Sequence, residues 1–533
     1  MFLIQKLTMK KILPLFVMLL TSLNISSKEK GLDDRINDFF EPYANNWEAL
    51  VLYPIKFSED LSIPIVLILL ILGALFFTLI FKFPNIRNFP LAINTVRGKY
   101  DELEKDDSNK DEGEVSHFQA LATAVSGTVG LGNIAGVAVA IALGGPGATF
   151  WMIVCGLIGM STKFVECTLG VMYRDVDDQG RVYGGPMYYL SKGLKSKGFR
   201  NLGKFLGVVF AILCVGASFG GGNAFQSNQA TKQITSILNL DSGSSGFLIG
   251  VILAILVGIV IIGGIKKIAS VTEKIVPFMA IIYVLASLII IFANFQFIDD
   301  AFVLIFNGAF TPEAGLGGVI GVIIVGFQRA AFSNEAGAGS AAIAHSAVKT
   351  KYPASEGVVG LLEPFIDTVV ICTMTALVII LFNTDVVTST GELTTIYFDY
   401  GNAENSKVLL NETGQYIGGV DLTSMAYDSV LPGFKYVLTI AIVLFAFSTM
   451  ISWSYYGLQS WKFLFGKGKL MDITYKALFL IFVVIGSAAT LDAVIKFSDA
   501  MILALVFPNM IGLFFLFPDV KKELKKYIKA IKN

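Results

Sequence analysis

The sequence predicts an all-α polytopic membrane protein of about eleven transmembrane helices, and three observations lead there. First, the 533 residues are 54% hydrophobic and only 15% charged, whereas soluble domains run at about 45–50% apolar and about 25% charged. Second, the apolar residues are gathered into long segments, each able to cross a ~30 Å hydrocarbon core at ~1.5 Å per residue. Third, loops rich in lysine and arginine alternate with loops that are poor in them.

The elements follow in order. In residues 1–27, Lys6, Lys10 and Lys11 precede the apolar run ILPLFVMLL, which is shorter than a span of ~20 residues and reads as a possible signal peptide. Residues 28–60 are polar with interspersed aromatics and read as an extracytoplasmic segment. Residues 61–82 form one extra transmembrane helix. Five apolar segments at 117–143, 146–173, 203–232, 246–264 and 274–295 make a first group, residues 117–295. Five more at 317–344, 358–382, 432–460, 474–493 and 496–517 make a second, residues 317–517, interrupted by an outer loop at 383–431. Neither the N-terminal extension nor this loop is expected to touch the core. Residues 518–533 are a basic tail.

Orientation follows from the basic loops. Lys82, Arg87, Arg97 and Lys99 follow the extra helix, and Arg174 to Lys204 holds seven basic residues. Lys266 with Lys267, Lys349 with Lys351, and Lys462 with Lys467 and Lys469 mark the others. Such loops stay in the cytoplasm, which predicts an inner-membrane protein with an extracytoplasmic N-terminus and a cytoplasmic C-terminus.

Other classes are disfavoured. Formal net charge is zero, so no global field points to nucleic acid. Cys155, Cys167, Cys214 and Cys372 lie in apolar segments without C-x-x-C spacing and read as small buried residues. His117 and His345 stand at segment ends, and H-E-x-x-H, G-x-S-x-G and P-loop motifs are missing, which argues against a membrane enzyme. An ion channel calls for symmetric pore helices or a ring of charges, and one asymmetric pair of motifs supplies neither.

That pair carries the functional argument. Gly127 to Ala142 reads GTVGLGNIAGVAVAIA, and Gln328 to Ala344 reads QRAAFSNEAGAGSAAIA. Both hold N-x-A-G in mid-segment, at Asn133–Gly136 and Asn334–Gly337. The first belongs to the first span of one group and the second to the first span of the other, so the copies lie in opposite orientation: a 5+5 inverted repeat. Glycine-interrupted helices at corresponding positions point to a transporter binding site. A broken helix frees backbone N–H and C=O groups at depth, tolerated only where they line a cavity or bind something. Helix N-termini attract a carboxylate, and carbonyl oxygens suit a hard cation such as Na⁺. Close helix packing is the plainer use of such glycines, but it does not explain the matched positions.

Three motifs, GTVGLGNIAGVAVAIALGGPGATFWM at 127–152, GFQRAAFSNEAGAGSAAIAH at 326–345 and FGGGNAFQSNQ at 219–229, resemble the alanine or glycine:cation symporter family. The resemblance runs from about Leu61 to Val520. It implies a leucine-transporter-like core of two inverted five-helix repeats, preceded here by one helix, and alternating access around a central site. It also implies sodium-coupled uptake of alanine or glycine, with proton-coupled or broader amino-acid transport as the alternative and no cofactor beyond Na⁺ as coupling ion. Partners are then the amino acid, the sodium ion and the lipid bilayer.

By the same resemblance the unwound turn falls at Ser126–Gly130. The carbonyls of Ser126 and Val129 become sodium ligands, Gly130 and Gly132 offer N–H groups to the substrate carboxylate, and Asn133 closes the site. In the segment 432–460, the hydroxyls of Ser448 and Thr449 and the carbonyl of Ala446 complete the sodium site. A Ser448 hydroxyl turned back onto its own helix is the alternative. Thr449 and Trp453, four apart, share a helical face, and the indole caps a small cavity. Phe219 and Gln226, seven apart, are expected on one face as wall and polar contact. Charges at depth cost ~2.5–3.5 kcal/mol each unless paired or hydrated. Arg329 and Glu335 flank the second break and read as a gate or structural ion pair. Glu166 is a further charge at depth, and Glu363 and Asp367, four apart, are expected to snorkel to water.

Overall fold

The computed structural model describes residues 31–57, 62–104, 113–240, 243–310, 318–387, 393–395, 397–400, 404 and 406–532. The possible signal peptide at 1–27 lies outside them. The chain is mostly helical, and the strands among the described residues pair only as short antiparallel ribbons. Among the described residues, seven helices are long and apolar enough to cross a membrane, and four shorter apolar helices of 10–17 residues accompany them.

The helices used below are numbered in chain order. Helix α1 is Leu32–Val51 and α2 is Ile65–Ile80. The first glycine-rich segment is α3, His117–Thr128, a break, and α4, Ala135–Gly144. Then come α5, Gly147–Met172; α6, Arg200–Leu238; α7, Ser245–Ile261; and α8, Gly264–Ala293. The second glycine-rich segment is α9, Gly318–Asn334, a break, and the single turn α10, Ala342–His345. Beyond it lie α11, Pro353–Phe382; α12, Val420–Val430; α13, Phe434–Phe465; α14, Lys469–Ala488; α15, Leu491–Ala504; and α16, Val506–Lys532.

Both expected interruptions are present. Ser116 caps α3 through a capping box with Gln119, and the helix runs until Val129, whose N–H still reaches the Val125 carbonyl at 2.7 Å. Over Gly130–Ile134 the ladder gives way to a turn, with the Asn133 N–H on the Gly130 carbonyl at 3.2 Å. The second break bends harder: Glu335, Gly337 and Gly339 take φ of +56°, +96° and +82°. Two glycines make that path cheap, since they carry no Cβ to clash in the left-handed region.

Two features differ from the sequence reading. The segment 28–60 is not a detached extension. Its helix α1 lays Phe40 against Phe497 at 5.1 Å, and Asn37 accepts from both the N–H and the hydroxyl of Thr490 at 2.9 Å, at the start of α15. The loop 383–431 also touches the core, because α12 comes down onto the first break. There the Thr423 hydroxyl donates to the Ile134 carbonyl at 3.1 Å. The physical reason is the break itself, whose freed carbonyls require donors from outside their own helix. The basic tail likewise continues α16 as a helix that buries Tyr527.

Candidate functional site

The two breaks meet between α13 and the middle of α11. At the first, Ser126 and α13 are locked reciprocally. The Thr449 hydroxyl donates to the Ser126 carbonyl at 2.9 Å, and the Ser126 hydroxyl donates to the Ser448 carbonyl at 2.8 Å. The Ser448 hydroxyl turns back to the Phe445 carbonyl at 3.0 Å, the local alternative for that side chain. Ser126, Val129, Ala446, Ser448 and Thr449 are all buried.

The break's backbone is held by side-chain amides. Gly130 N–H donates to Asn133 Oδ1 at 2.8 Å, and Leu131 N–H donates to Gln226 Oε1 at 3.0 Å. A Cβ on Gly130 would collide with the Thr449 hydroxyl and lie 3.0 Å from Gln226 Oε1, so any side chain there forces one of them to move. Gly132 is roomier: its Cβ would meet Phe332 and Ser333 at an ordinary 3.5 Å.

Trp453, one turn along α13 from Thr449, reaches the other break. Its Nε1 donates to Glu335 Oε1 at 3.0 Å, and the Ser340 hydroxyl donates to the other Glu335 oxygen. Its ring lies where a Cβ on Gly222 would stand and tilts against Tyr456 at 5.3 Å. The Tyr456 hydroxyl is buried, lies against Gly127, and has no hydrogen-bond partner among the described residues.

The two asparagines of the repeat converge on adjacent residues of α11. Asn133 donates to the Asp367 side chain at 2.6 Å, and Asn334 donates to the Thr368 hydroxyl at 2.8 Å. Asp367 also accepts from the hydroxyls of Ser333 at 2.8 Å and Thr368 at 2.7 Å. Asp367 and Glu363 therefore do not snorkel; both are fully buried. A π-helical stretch at Phe365–Cys372 widens the turn and aims Asp367 between the breaks. The sequence signal was a carboxylate with hydroxyl and amide partners in mid-segment; the π stretch left none.

Other expectations need correcting. Arg329 pairs not with Glu335 but with Asp499 of α15, which also accepts from Gln328 at 2.9 Å. Glu335 stands six residues beyond Arg329, across the helix end, and its left-handed backbone sends the carboxylate to α13 instead. Phe219 does not wall the site. A π turn at Gly220–Ala224 separates it from Gln226, so the seven-residue spacing no longer means one face, and Phe219 stacks on Phe482 at 4.6 Å. Phe332 is the aromatic ring packed near Gly132 and Gly221, edge-on to Phe225 at 5.1 Å. Glu166 accepts from Gly337 N–H at 3.0 Å and from Asn509 at 2.7 Å, stitching the second break to α5 and α16.

A model described as the sodium:alanine symporter family matches residues 53–533. The sodium/alanine symporter AgcS of Methanococcus maripaludis is 40% identical over 472 residues, covering 88% of this chain and 95% of its own. The probable sodium/glutamine symporter GlnT of Bacillus subtilis is 31% identical over 471 residues, 88% of each chain. Among solved structures, MhsT in complex with L-phenylalanine is 13% identical, covers 77% of this chain and 99% of its own, and has a TM-score of 0.47.

Proposed function

The chain belongs to the sodium:alanine symporter family, and from that premise we propose that it takes up alanine or glycine together with Na⁺ by alternating access. Cation-coupled amino-acid transport by a multi-pass membrane protein is what the family does; the substrate, the ion and the sites are the proposal. The observation that carries it is the reciprocal lock between Ser126 and the Ser448–Thr449 pair. It gathers carbonyl and hydroxyl oxygens at a break in the backbone, the donor set a hard cation prefers. Na⁺ would take the place of the hydrogen bond between the Thr449 hydroxyl and the Ser126 carbonyl, drawing on the carbonyls of Ser126, Val129 and Ala446 and the oxygen of the Thr449 hydroxyl, which keeps its proton.

The amino acid sits beside it. Its carboxylate faces the break at Gly130 and Gly132, with Asn133 and Gln226 as exchangeable amide partners. Phe332 and Trp453 bound the side-chain end, and the Tyr456 hydroxyl is positioned as an additional polar contact. Asp367 supplies negative charge shared by the two breaks, which favours a cation close by. The Arg329–Asp499 pair serves as a gate between α9 and α15. Eleven spans arranged as one helix plus 5+5 accommodate all of this, with the basic-loop face in the cytoplasm.

Radiolabelled alanine uptake into proteoliposomes with an inward Na⁺ gradient tests the reading. Accumulation is expected with Na⁺ and not with choline. Uptake that persists in choline and follows a pH gradient would instead establish proton coupling.

A further inference from the structure

The chain holds two histidines, and both rest on one carboxylate. His117 opens α3 and His345 closes α10, so each stands at the end of a broken helix on the basic-loop face. One oxygen of Glu356 meets His117 Nδ1, and the other meets His345 Nδ1 at 2.5 Å. Outward from these, His117 Nε2 meets Glu104 at 2.8 Å, and His345 Nε2 meets Glu363 at 3.4 Å. The second Glu363 oxygen takes the Lys163 ammonium at 3.3 Å. Backbone bonds run alongside: Glu114 N–H reaches the Ala347 carbonyl at 2.8 Å, and Lys349 N–H reaches the Val115 carbonyl at 2.9 Å.

A count of hydrogens decides the state of this cluster. Each of the four histidine–carboxylate contacts needs one hydrogen, and two neutral imidazoles bring only two. Glu104 is already an acceptor for the hydroxyls of Tyr527, Thr350 and Ser355. With two further protons on the rings, three carboxylates face two imidazoliums and one ammonium, and the buried cluster is neutral. Without them, nitrogen lone pairs oppose carboxylate oxygens and two negative charges are left without compensation. The other titratable groups facing the cluster are Glu166 and Cys167 of α5, Glu335 of the second break, Asp367 of α11, Tyr456 of α13 and Tyr527 of α16.

We propose that the cluster is a proton-binding site that latches the basic-loop ends of the two broken helices, holding two protons while that face is closed and giving up at least one when α3 and α10 part. The part about movement rests on the alternating-access reading above. Transport through that face then slows as its solution becomes more acidic.

Because the chain has two imidazoles, tag-free protein labelled with ¹⁵N-histidine gives two sets of ring signals, assigned with His117→Gln and His345→Gln. At pH 7.5 both rings are expected to carry hydrogen on both nitrogens, where an ordinary histidine is only about one-tenth protonated. Neutral rings at that pH would overturn the proposal, and this wild-type spectrum decides the proton count even if a variant fails to fold. The latch has its own readout. With the other three cysteines replaced by alanine, Cys167 beside His345 reports access from the basic-loop face. Glu356→Gln is expected to speed its reaction with a maleimide about tenfold at fixed pH; an unchanged rate removes the latch. Neither readout uses substrate, so a failure of sodium-driven uptake counts against the transport reading alone.

Discussion

Gly130 is the tightest point of the first break, wedged between Thr449 and Gln226. A single methyl there must displace a hydroxyl or an amide that holds the turn, and overpacking of this kind costs ~1–3 kcal/mol. Gly130→Ala is therefore expected to lower alanine uptake more than tenfold, while Gly132→Ala, whose methyl meets Phe332 at ordinary distance, stays within about threefold. Initial uptake rates normalised to protein in the membrane decide between them. Thr449→Ala removes the hydroxyl on the Ser126 carbonyl. One net hydrogen bond is worth ~0.5–1.5 kcal/mol, so the Na⁺ concentration for half-maximal uptake should rise about two- to tenfold. The alanine concentration for half-maximal uptake at saturating Na⁺ should barely move; a larger change there would place Thr449 on the substrate.

Elements behave less predictably than residues, and here the limits of sequence reading are clearest. The glycine-rich breaks were legible because N-x-A-G recurs and because free backbone groups at depth demand a purpose. The face shared by Thr449 and Trp453 was legible because α13 is regular from Phe434 to Phe465. Sequence spacing misplaces Phe219 and Asp367 for one cause: each adjoins or lies within a π-helical stretch, where the 3.6-residue period on which facing arguments rest no longer applies. Sequence pairs Arg329 with Glu335 rather than with Asp499 because Asp499 lies 170 positions away along the chain, and only packing brings it near. The exchange of Phe219 for Phe332 is itself testable. Phe332→Ala should let longer side chains such as leucine compete with alanine, whereas Phe219→Ala should leave the ranking of competitors unchanged. The loop helix α12 gives a further test. Thr423→Val keeps its shape but removes the donor to the Ile134 carbonyl, and uptake should fall several-fold without loss of protein from the membrane.

At the scale of the whole molecule, the proposed coupling to Na⁺ would set the energetics. One net charge moving through ~100 mV supplies about 2.3 kcal/mol, or roughly fiftyfold accumulation at ~1.4 kcal/mol per tenfold. Uptake in proteoliposomes should therefore generate an inward current and rise with an interior-negative potential; uptake indifferent to potential would exclude net charge movement. Orientation is checked at two exposed positions, Lys195→Cys and Glu412→Cys, which the alternation of basic loops puts on opposite faces. An impermeant thiol reagent on intact cells should modify position 412 alone.

The pairs Lys163–Glu363 and Arg329–Asp499 each tie together two different helices while fully or almost fully buried. Loss of one partner strands a charge at a cost of ~3–5 kcal/mol; replacing both with apolar side chains is close to neutral for Arg329–Asp499, whereas at Lys163–Glu363 it would also strip His345 Nε2 of its partner. The four positions are consequently not free to drift one at a time. Across the family's descent they should be kept together or exchanged together, so that a relative lacking the arginine at position 329 also lacks the carboxylate at 499, a relative lacking the lysine at 163 has altered both Glu363 and His345, and any lineage caught between such states would make a chain that folds poorly.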